Sequence, residues 1–243
     1  MMLYLLPSGD HDWAKELSDK TGIPFLPVDK EPEDDSLRLV LSDRGLFLSD
    51  GTLSYQGDFH TLLARVEKNR LNSELLVKAA KPKSFSTGAT LLDATAGLGE
   101  DSFLLAAAGF CVTLCERNPV IFSLLADTMK RAREEALLPI LSRMELYFGD
   151  SKELLQSADG KYDLVYLDPM FPARAKSGLI KKKFQLLQKL ERPEENGEEL
   201  LSVAISAHPK KILVKRPKNA PFLGEKAPSY TIAGDTIRYD CIV

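Results

Sequence analysis

The sequence predicts an α/β protein: a doubly wound, mostly parallel Rossmann-like sheet ending in an antiparallel hairpin, preceded by a small α+β unit at the amino terminus. Three observations predict it. From residue 88 onward, short apolar strands alternate with amphipathic helices, the pattern of a parallel sheet covered on both faces. The last two strand-like pieces are separated only by Gly234-Asp235, too short for a crossover, so they must pair antiparallel. The opening residues show hairpin signals instead, so two domains are expected, 1–57 and 58–243, in a chain long enough to bury a sizeable core.

In order along the chain, the first unit reads as a strand at Met2 to Leu6, a helix from about Asp10 to Lys20, and strands at Leu37 to Leu41 and Leu46 to Leu48. Ser49-Asp50-Gly51-Thr52 marks a tight turn, because Asp-Gly accepts positive φ, so Gly45 to Tyr55 is expected to fold as an antiparallel ribbon. PVDKEPEDDS is acidic and Pro-containing, an exposed connection. Leu62, Leu63, Val66, Leu71, Leu75, Leu76 and Ala79 recur at three- and four-residue steps and predict one long helix from Phe59 to Pro82, bridging the two units. The second unit then reads as strand 89–95, helix 99–109, strand 111–116, helix 119–135, strand 144–150, short helix 151–157 and strand 162–168. Helical stretches at about 178–190 and 195–206 lead to strand 211–215 and to the closing pair, Ser229–Ala233 and Thr236–Val243.

Composition removes several classes. Hydrophobic residues at 44% and charged residues at 28% exclude collagen-like, low-complexity and disulfide-scaffold chains. No apolar run approaches the ~20 residues of a membrane span, and MMLYLLPSGDHDW has neither a basic start nor a long apolar stretch, so no membrane association and a cytoplasmic location are expected. Cys111, Cys115 and Cys241 lack the further ligands a zinc site requires; buried reduced thiols and no metal are expected. The net charge of −3 argues against a nucleic-acid partner, yet Met170 to Lys218 holds twelve Lys or Arg against five Glu. A local basic surface is therefore open to RNA, against the plainer explanation of a solvated helix face.

Three strand ends carry the chemistry. LLDATAGLGED (91–101) runs from a strand through a turn into a helix, with Gly97 and Gly99 permitting close backbone approach to a ligand. Glu100 and Asp101 follow where a dinucleotide fingerprint would have its third glycine. They would repel a pyrophosphate, compensate the helix dipole, and suit a cofactor bearing an ammonium and a sulfonium. Glu116, nineteen positions after Gly97, stands where a carboxylate accepts both hydrogen bonds of a ribose diol; Arg117 is placed to cover an adenine face. Asp150 with Ser151 is placed to reach the adenine amino group or, equally, to cap the helix that follows.

YLDPMFPARAKSGLIKKK (166–183) is the most informative segment, because Asp168-Pro169-Met170-Phe171 follows an apolar strand at the carboxyl edge of the sheet. Asp-Pro-x-aromatic there resembles the catalytic motif of S-adenosylmethionine-dependent amino-methyltransferases. An exocyclic base amine has its lone pair delocalised into the ring and needs acceptors to draw its hydrogens toward tetrahedral geometry. The Asp168 carboxylate and Pro169 carbonyl are such acceptors, and Phe171 would stack on the extruded base. The plainer explanation, an Asp-Pro turn, leaves the other strand ends unaccounted for.

Taken together, DATAGLGED, ERNP (116–119), YLDPMFP with KSGLIKKK, and VKRP (214–217) resemble the small-subunit ribosomal RNA guanine-N2 methyltransferases of the RsmJ family, over about 88–243. The resemblance implies a methyltransferase sheet, S-adenosylmethionine as cofactor, and methyl transfer to the exocyclic N2 amine of one guanosine in 16S ribosomal RNA, free or in the small ribosomal subunit. It carries cofactor contacts to Glu100, Asp101, Glu116, Arg117, Asp150, Ser151 and Asp168; family members often have a basic residue at the position of Glu100, which points to a backbone contact there. RNA is expected along Lys176, Lys181, Lys182, Lys183, Lys215 and Arg216. Other readings stay open: an amino-methyltransferase acting on another base or nucleic acid, a non-catalytic RNA-binding module, or a nicotinamide dehydrogenase, which would leave DPMFP and the terminal hairpin unexplained.

Overall fold

A computed structural model describes residues 1–81, 87–132, 134–169, 185–187, 189–190, 197–224 and 227–243. Its contacts divide the chain into two compact units. The first takes in Met1–Asp58 and also Asn118–Ala132, with the described residues between 171 and 193. The second comprises Phe59–Arg117 and the described parts of Arg133–Met170 and Glu194–Val243.

The first unit is built on a five-stranded sheet of β1 (Leu3–Leu5), β2 (Phe25–Pro27), β3 (Arg38–Ser42), β4 (Gly45–Ser49) and β5 (Ser54–Tyr55), in the order β2-β1-β3-β4-β5. The ribbon expected at Gly45 to Tyr55 is β4 paired antiparallel with β5; Gly51 has φ +78°, and the Asp50 carboxylate accepts from the Thr52 and Leu53 amides at 3.1 and 2.7 Å. β1, however, pairs parallel with both β2 and β3, and β2 was not expected from the sequence. Helix His11–Thr21 connects β1 to β2; Asp10 caps it by accepting from the Trp13 amide at 3.0 Å, and Gly22 ends it at φ +73°. Helix Pro119–Arg131, capped by Asn118, places Asp127 inside this unit, where it accepts from Trp13 Nε1 (3.1 Å), the Leu46 amide (3.0 Å) and Arg131 Nε (2.6 Å).

The second unit is built on a seven-stranded sheet of β6 (Thr90–Asp93), β7 (Cys111–Glu116), β8 (Met144–Phe148), β9 (Leu164–Leu167), β10 (Lys211–Pro217), β11 (Tyr230–Ala233) and β12 (Ile237–Ile242), in the order β11-β12-β10-β9-β6-β7-β8. β8, β7, β6, β9 and β10 run parallel, and β12 turns back against β10 and β11, as the short Gly234-Asp235 link requires. This is the mostly parallel, doubly wound sheet with a terminal hairpin that the sequence predicts. Chain growth runs from β6 through β7 to β8 on one side and then resumes at β9 on the other, so the order reverses between β6 and β9. Ligands of such sheets bind at the carboxyl ends of the strands beside that reversal. Leu92, Val165, Leu167, Ile212 and Val214 form a core with Leu200, Leu201 and Ala204 of helix Gly197–Ser206.

Two expectations are corrected. Residues 59–80 form a 3-10 turn, Phe59–Leu62, and three short helices, Leu63–Val66, Lys68–Ser73 and Leu75–Ala80, not one long helix. Glu67 and Glu74 adopt extended ψ angles of 132° and 129° at the breaks. The bidentate ion pair of Arg65 with Glu74 (2.8 and 2.9 Å) and the stacking of Phe59 on Phe103 (centroids 4.7 Å apart) draw the segment back on itself, which a straight helix would forbid. Cys115 and Cys241 are buried free thiols, whereas Cys111, the first residue of β7, is exposed. Among the described residues, no helix is long and apolar enough to cross a membrane.

Candidate active site

The turn after β6 is organised by Asp93, the carboxylate at the end of that strand. Asp93 is 1% exposed; it accepts from Ser102 Oγ at 2.5 Å and from the Thr95 amide at 3.1 Å, which ties the end of the strand to the next helix across the glycine turn. Burial pushes Asp93 up to about 7, with the Ser102 and Thr95 hydrogen bonds pulling the other way and the Asp101 and Asp168 charges adding to the rise. Gly97 and Gly99 take φ of +55° and +74°, the left-handed region where a side chain would strain the backbone. A Cβ added at Gly97 would meet only Thr95 O, at 3.9 Å, so the turn leaves open space beside its backbone.

Glu116 ends β7 next to this turn, and its Oε2 accepts from the Gly97 amide at 2.9 Å. The neighbouring strand tips are drawn together by Cys115 Sγ on Gly149 O (3.3 Å) and by the Gly149 amide on Glu116 O (3.1 Å). Asp150 follows β8 and caps helix Ser151–Gln156, accepting from the Lys152 amide at 2.9 Å; Ser151 is buried and Arg117 exposed. Capping was one of the two expectations for Asp150, and its geometry is present here.

Asp168 lies directly after β9, with its amide donating to Thr95 Oγ1 at 2.7 Å. On β10, Lys215 Nζ donates to Asp168 Oδ2 and to Asp101 Oδ2, each at 2.8 Å, and Asp101 Oδ2 also accepts from the buried Tyr166 hydroxyl at 2.7 Å. Burial opposes the Lys215 charge, but Asp101 and Asp168 outweigh it and hold the ammonium well above the usual lysine range. Burial, reinforced by Asp101 and Asp168, drives the Tyr166 hydroxyl upward, so it remains a donor. Pro169 is buried, and a Cβ on Gly197 at the start of helix Gly197–Ser206 would come within 3.4 Å of its ring, so that helix meets the β9 tip closely.

The structure thus gathers Gly97, Glu100, Asp101, Glu116 and Asp168 around the carboxyl ends of β6, β7 and β9, with Asp150 and Ser151 at the adjoining tip. Phe171, Lys176, Lys181, Lys182 and Lys183 lie outside the described residues. The remaining two basic positions make contacts within the protein. Arg216 is 3% exposed and donates through Nε and Nη2 to Pro221 O at 3.0 and 2.7 Å. Lys215 is engaged by two carboxylates at the site itself. Asp93, Thr95, Ser102 and Tyr166 were missed as site residues; Asp93 was legible as a strand-end acid, whereas Tyr166 looked like any strand aromatic.

The donor set fits S-adenosylmethionine: a backbone turn open to close approach, a strand-end carboxylate suited to a ribose diol, and acidic residues at the helix start suited to an ammonium and a sulfonium. The family model described as "Putative SAM-dependent methyltransferase" matches residues 29–243. A ribosomal RNA small subunit methyltransferase J of Marinobacter nauticus is 34% identical over 244 residues, covering 96% of this chain and 88% of that protein. One of Thioalkalivibrio sulfidiphilus is 39% identical over 227 residues, covering 90% and 89%. The crystal structure of a SAM-dependent methyltransferase from Neisseria gonorrhoeae matches with a TM-score of 0.78 at 28% identity, covering 100% of this chain and 96% of that one. With such identity along nearly its whole length, the chain belongs to the ribosomal RNA small subunit methyltransferase J family of SAM-dependent methyltransferases.

Proposed function

We propose that this enzyme transfers a methyl group from S-adenosylmethionine to the exocyclic N2 amine of a guanosine in 16S ribosomal RNA of the small subunit, in the cytoplasm. The observation that carries the reading is Asp168: a carboxylate at the tip of β9, beside the reversal of the sheet, anchored through its amide to Thr95 and through Oδ2 to Lys215. When bound, S-adenosylmethionine supplies an electrophilic methyl group on a sulfonium. Glu116 binds the ribose diol, and the open turn at Gly97 lets the backbone approach the nucleoside. Asp101, held by Tyr166 and Lys215, contributes negative charge toward the cofactor's cationic end rather than a freely rotating contact. Asp168 and the Pro169 carbonyl accept the hydrogens of the amine, so its lone pair leaves conjugation with the ring, and the Asp168 charge stabilises the cation that develops on nitrogen. Phe171 is assigned to stack on the base, and Lys176, Lys181, Lys182 and Lys183 to the RNA backbone.

The test is Asp168→Asn, assayed with tritiated S-adenosylmethionine on small subunits from cells lacking this enzyme, followed by nucleoside analysis. Turnover should fall on the order of 10²-fold or more, the scale of a preorganised electrostatic contact, and by more than S-adenosylhomocysteine affinity falls. Near wild-type turnover would overturn the assignment of Asp168. A labelled nucleoside other than N2-methylguanosine would overturn the choice of base.

A further inference from the structure

We infer that Lys215 is a positioning residue of the methyl-transfer site: its ammonium bridges Asp101 and Asp168 and orients the Asp168 carboxylate to receive the substrate amine. The inference rests on the function proposed above and adds to it a residue that, from the sequence, looked like an RNA contact. Sheet register produces the arrangement. β9 and β10 run parallel with Leu167 opposite Val214, so the next residues, Asp168 and Lys215, stand side by side. On its other side Lys215 is opposite Tyr239 of β12. Both of its ion pairs are 2.8 Å long, which puts the two carboxylate oxygens within twice that distance of each other.

Two carboxylates so close repel each other, and without a cation between them one rises in pKa or swings away. Asp101 is the fixed member, since its Oδ2 also receives the hydroxyl of Tyr166, which is 1% exposed. Asp168, at 37% side-chain exposure, is the member open to substrate, and Lys215, at 24%, lies between the two. Removing Lys215 therefore leaves Asp168 facing an anchored negative charge. Among the described residues, groups that also act on this cluster include the Asp93 carboxylate from β6, Glu100 beside Asp101, the Arg65–Glu74 pair from the preceding short helices, and the Tyr239 hydroxyl from β12. Tyr166 and Tyr239 are both driven upward by burial first, so both stay neutral hydroxyls and add no negative charge to the cluster near neutral pH.

The experiment compares wild type, Lys215→Met and Lys215→Arg. Three quantities are read for each: the pH dependence of single-turnover methylation at saturating S-adenosylmethionine and RNA, the affinity for S-adenosylhomocysteine by calorimetry, and the salt slope of RNA binding. A ¹³C carboxylate titration of Asp168 supplies a readout independent of activity. In Lys215→Met the acid limb and the Asp168 titration should move up by ~1–3 pH units, the range by which a neighbouring opposite charge shifts a carboxylate. Turnover above that limb should fall roughly tenfold as the carboxylate loses its orientation, a loss of the kind a small misplacement of a reacting group causes. The salt slope should stay unchanged, S-adenosylhomocysteine affinity should change less than turnover, and Lys215→Arg should return the acid limb toward wild type. Lys215→Gln, which keeps a polar side chain in this half-buried place, serves the same comparison should the methionine variant unfold. An unmoved acid limb and carboxylate titration would overturn the inference, as would a salt slope reduced by about one unit, the sign of a lost phosphate contact. Asp168→Asn separates the two claims: if it is inactive while the Lys215 variants keep the wild-type pH profile, the positioning role alone fails; if it is active, the proposed function fails with it.

Discussion

Replacing Asp93 by Asn should change how stability depends on pH, with a sign the structure determines. Asp93 sits at 1% exposure, and burial raises its carboxyl from the ordinary 3.8 to about 7. Between those values the folded protein holds a proton that the unfolded chain has released. Stability from this group is therefore full below about 3.8, declines as pH rises, and levels off above about 7. At 1.36 kcal/mol per pKa unit the whole interval is worth on the order of 4 kcal/mol, of which roughly 2–3 kcal/mol falls between pH 5 and 8. Asn carries no charge and removes this slope. Its carbonyl can still accept from the Thr95 amide, while its NH₂ must donate to the Ser102 hydroxyl, which in wild type donates to Asp93. The assay is urea unfolding of wild type and Asp93→Asn at several values from pH 5 to 8, where groups common to both proteins cancel in the difference. Wild type should gain on the variant toward acid and lose ground toward pH 8. A stability difference constant within about 0.5 kcal/mol across that range, the usual spread of a neutral surface change, would refute the reasoning.

Two other substitutions address the cofactor site and the first unit. Glu116→Ala removes the charge-assisted acceptor at the β7 tip and leaves the Gly97 amide without its 2.9 Å partner; S-adenosylhomocysteine binding should weaken by ~1.5–3 kcal/mol in calorimetry, and wild type should give no heat with NAD. An unchanged affinity, or NAD binding, would contradict the assignment. Asp127→Ala strips the acceptor from Trp13 Nε1, the Leu46 amide and Arg131 at once, and its urea midpoint should fall by the equivalent of ~3 kcal/mol, the scale of breaking a buried charged cluster; a loss below 1 kcal/mol would show the cluster to be marginal.

What the sequence determined by itself is local in origin. Alternating strand and helix patterns located β6 to β12, the two-residue link between β11 and β12 dictated an antiparallel pair, and Asp-Gly at 50–51 dictated the β4–β5 turn. Glycines needing positive φ at 97 and 99, and acids at the ends of β7 and β9, could be named because each depends on its own few neighbours. Where contacts join distant residues, periodicity says nothing about the outcome. The apolar steps from Phe59 to Ala80 fit one helix equally well, and the Arg65–Glu74 pair and Phe59–Phe103 stack decided for a broken one. Parallel pairing of β1 with β2 and β3 is likewise invisible in a hydrophobic pattern that looks the same for either strand direction. Lys215 shows the difference most sharply. VKRP is simply basic as a string; only the register of β9 against β10, and the arrival of Asp101 from a helix more than a hundred residues earlier, turns that charge inward, because two close carboxylates attract an ammonium more strongly than solvent does.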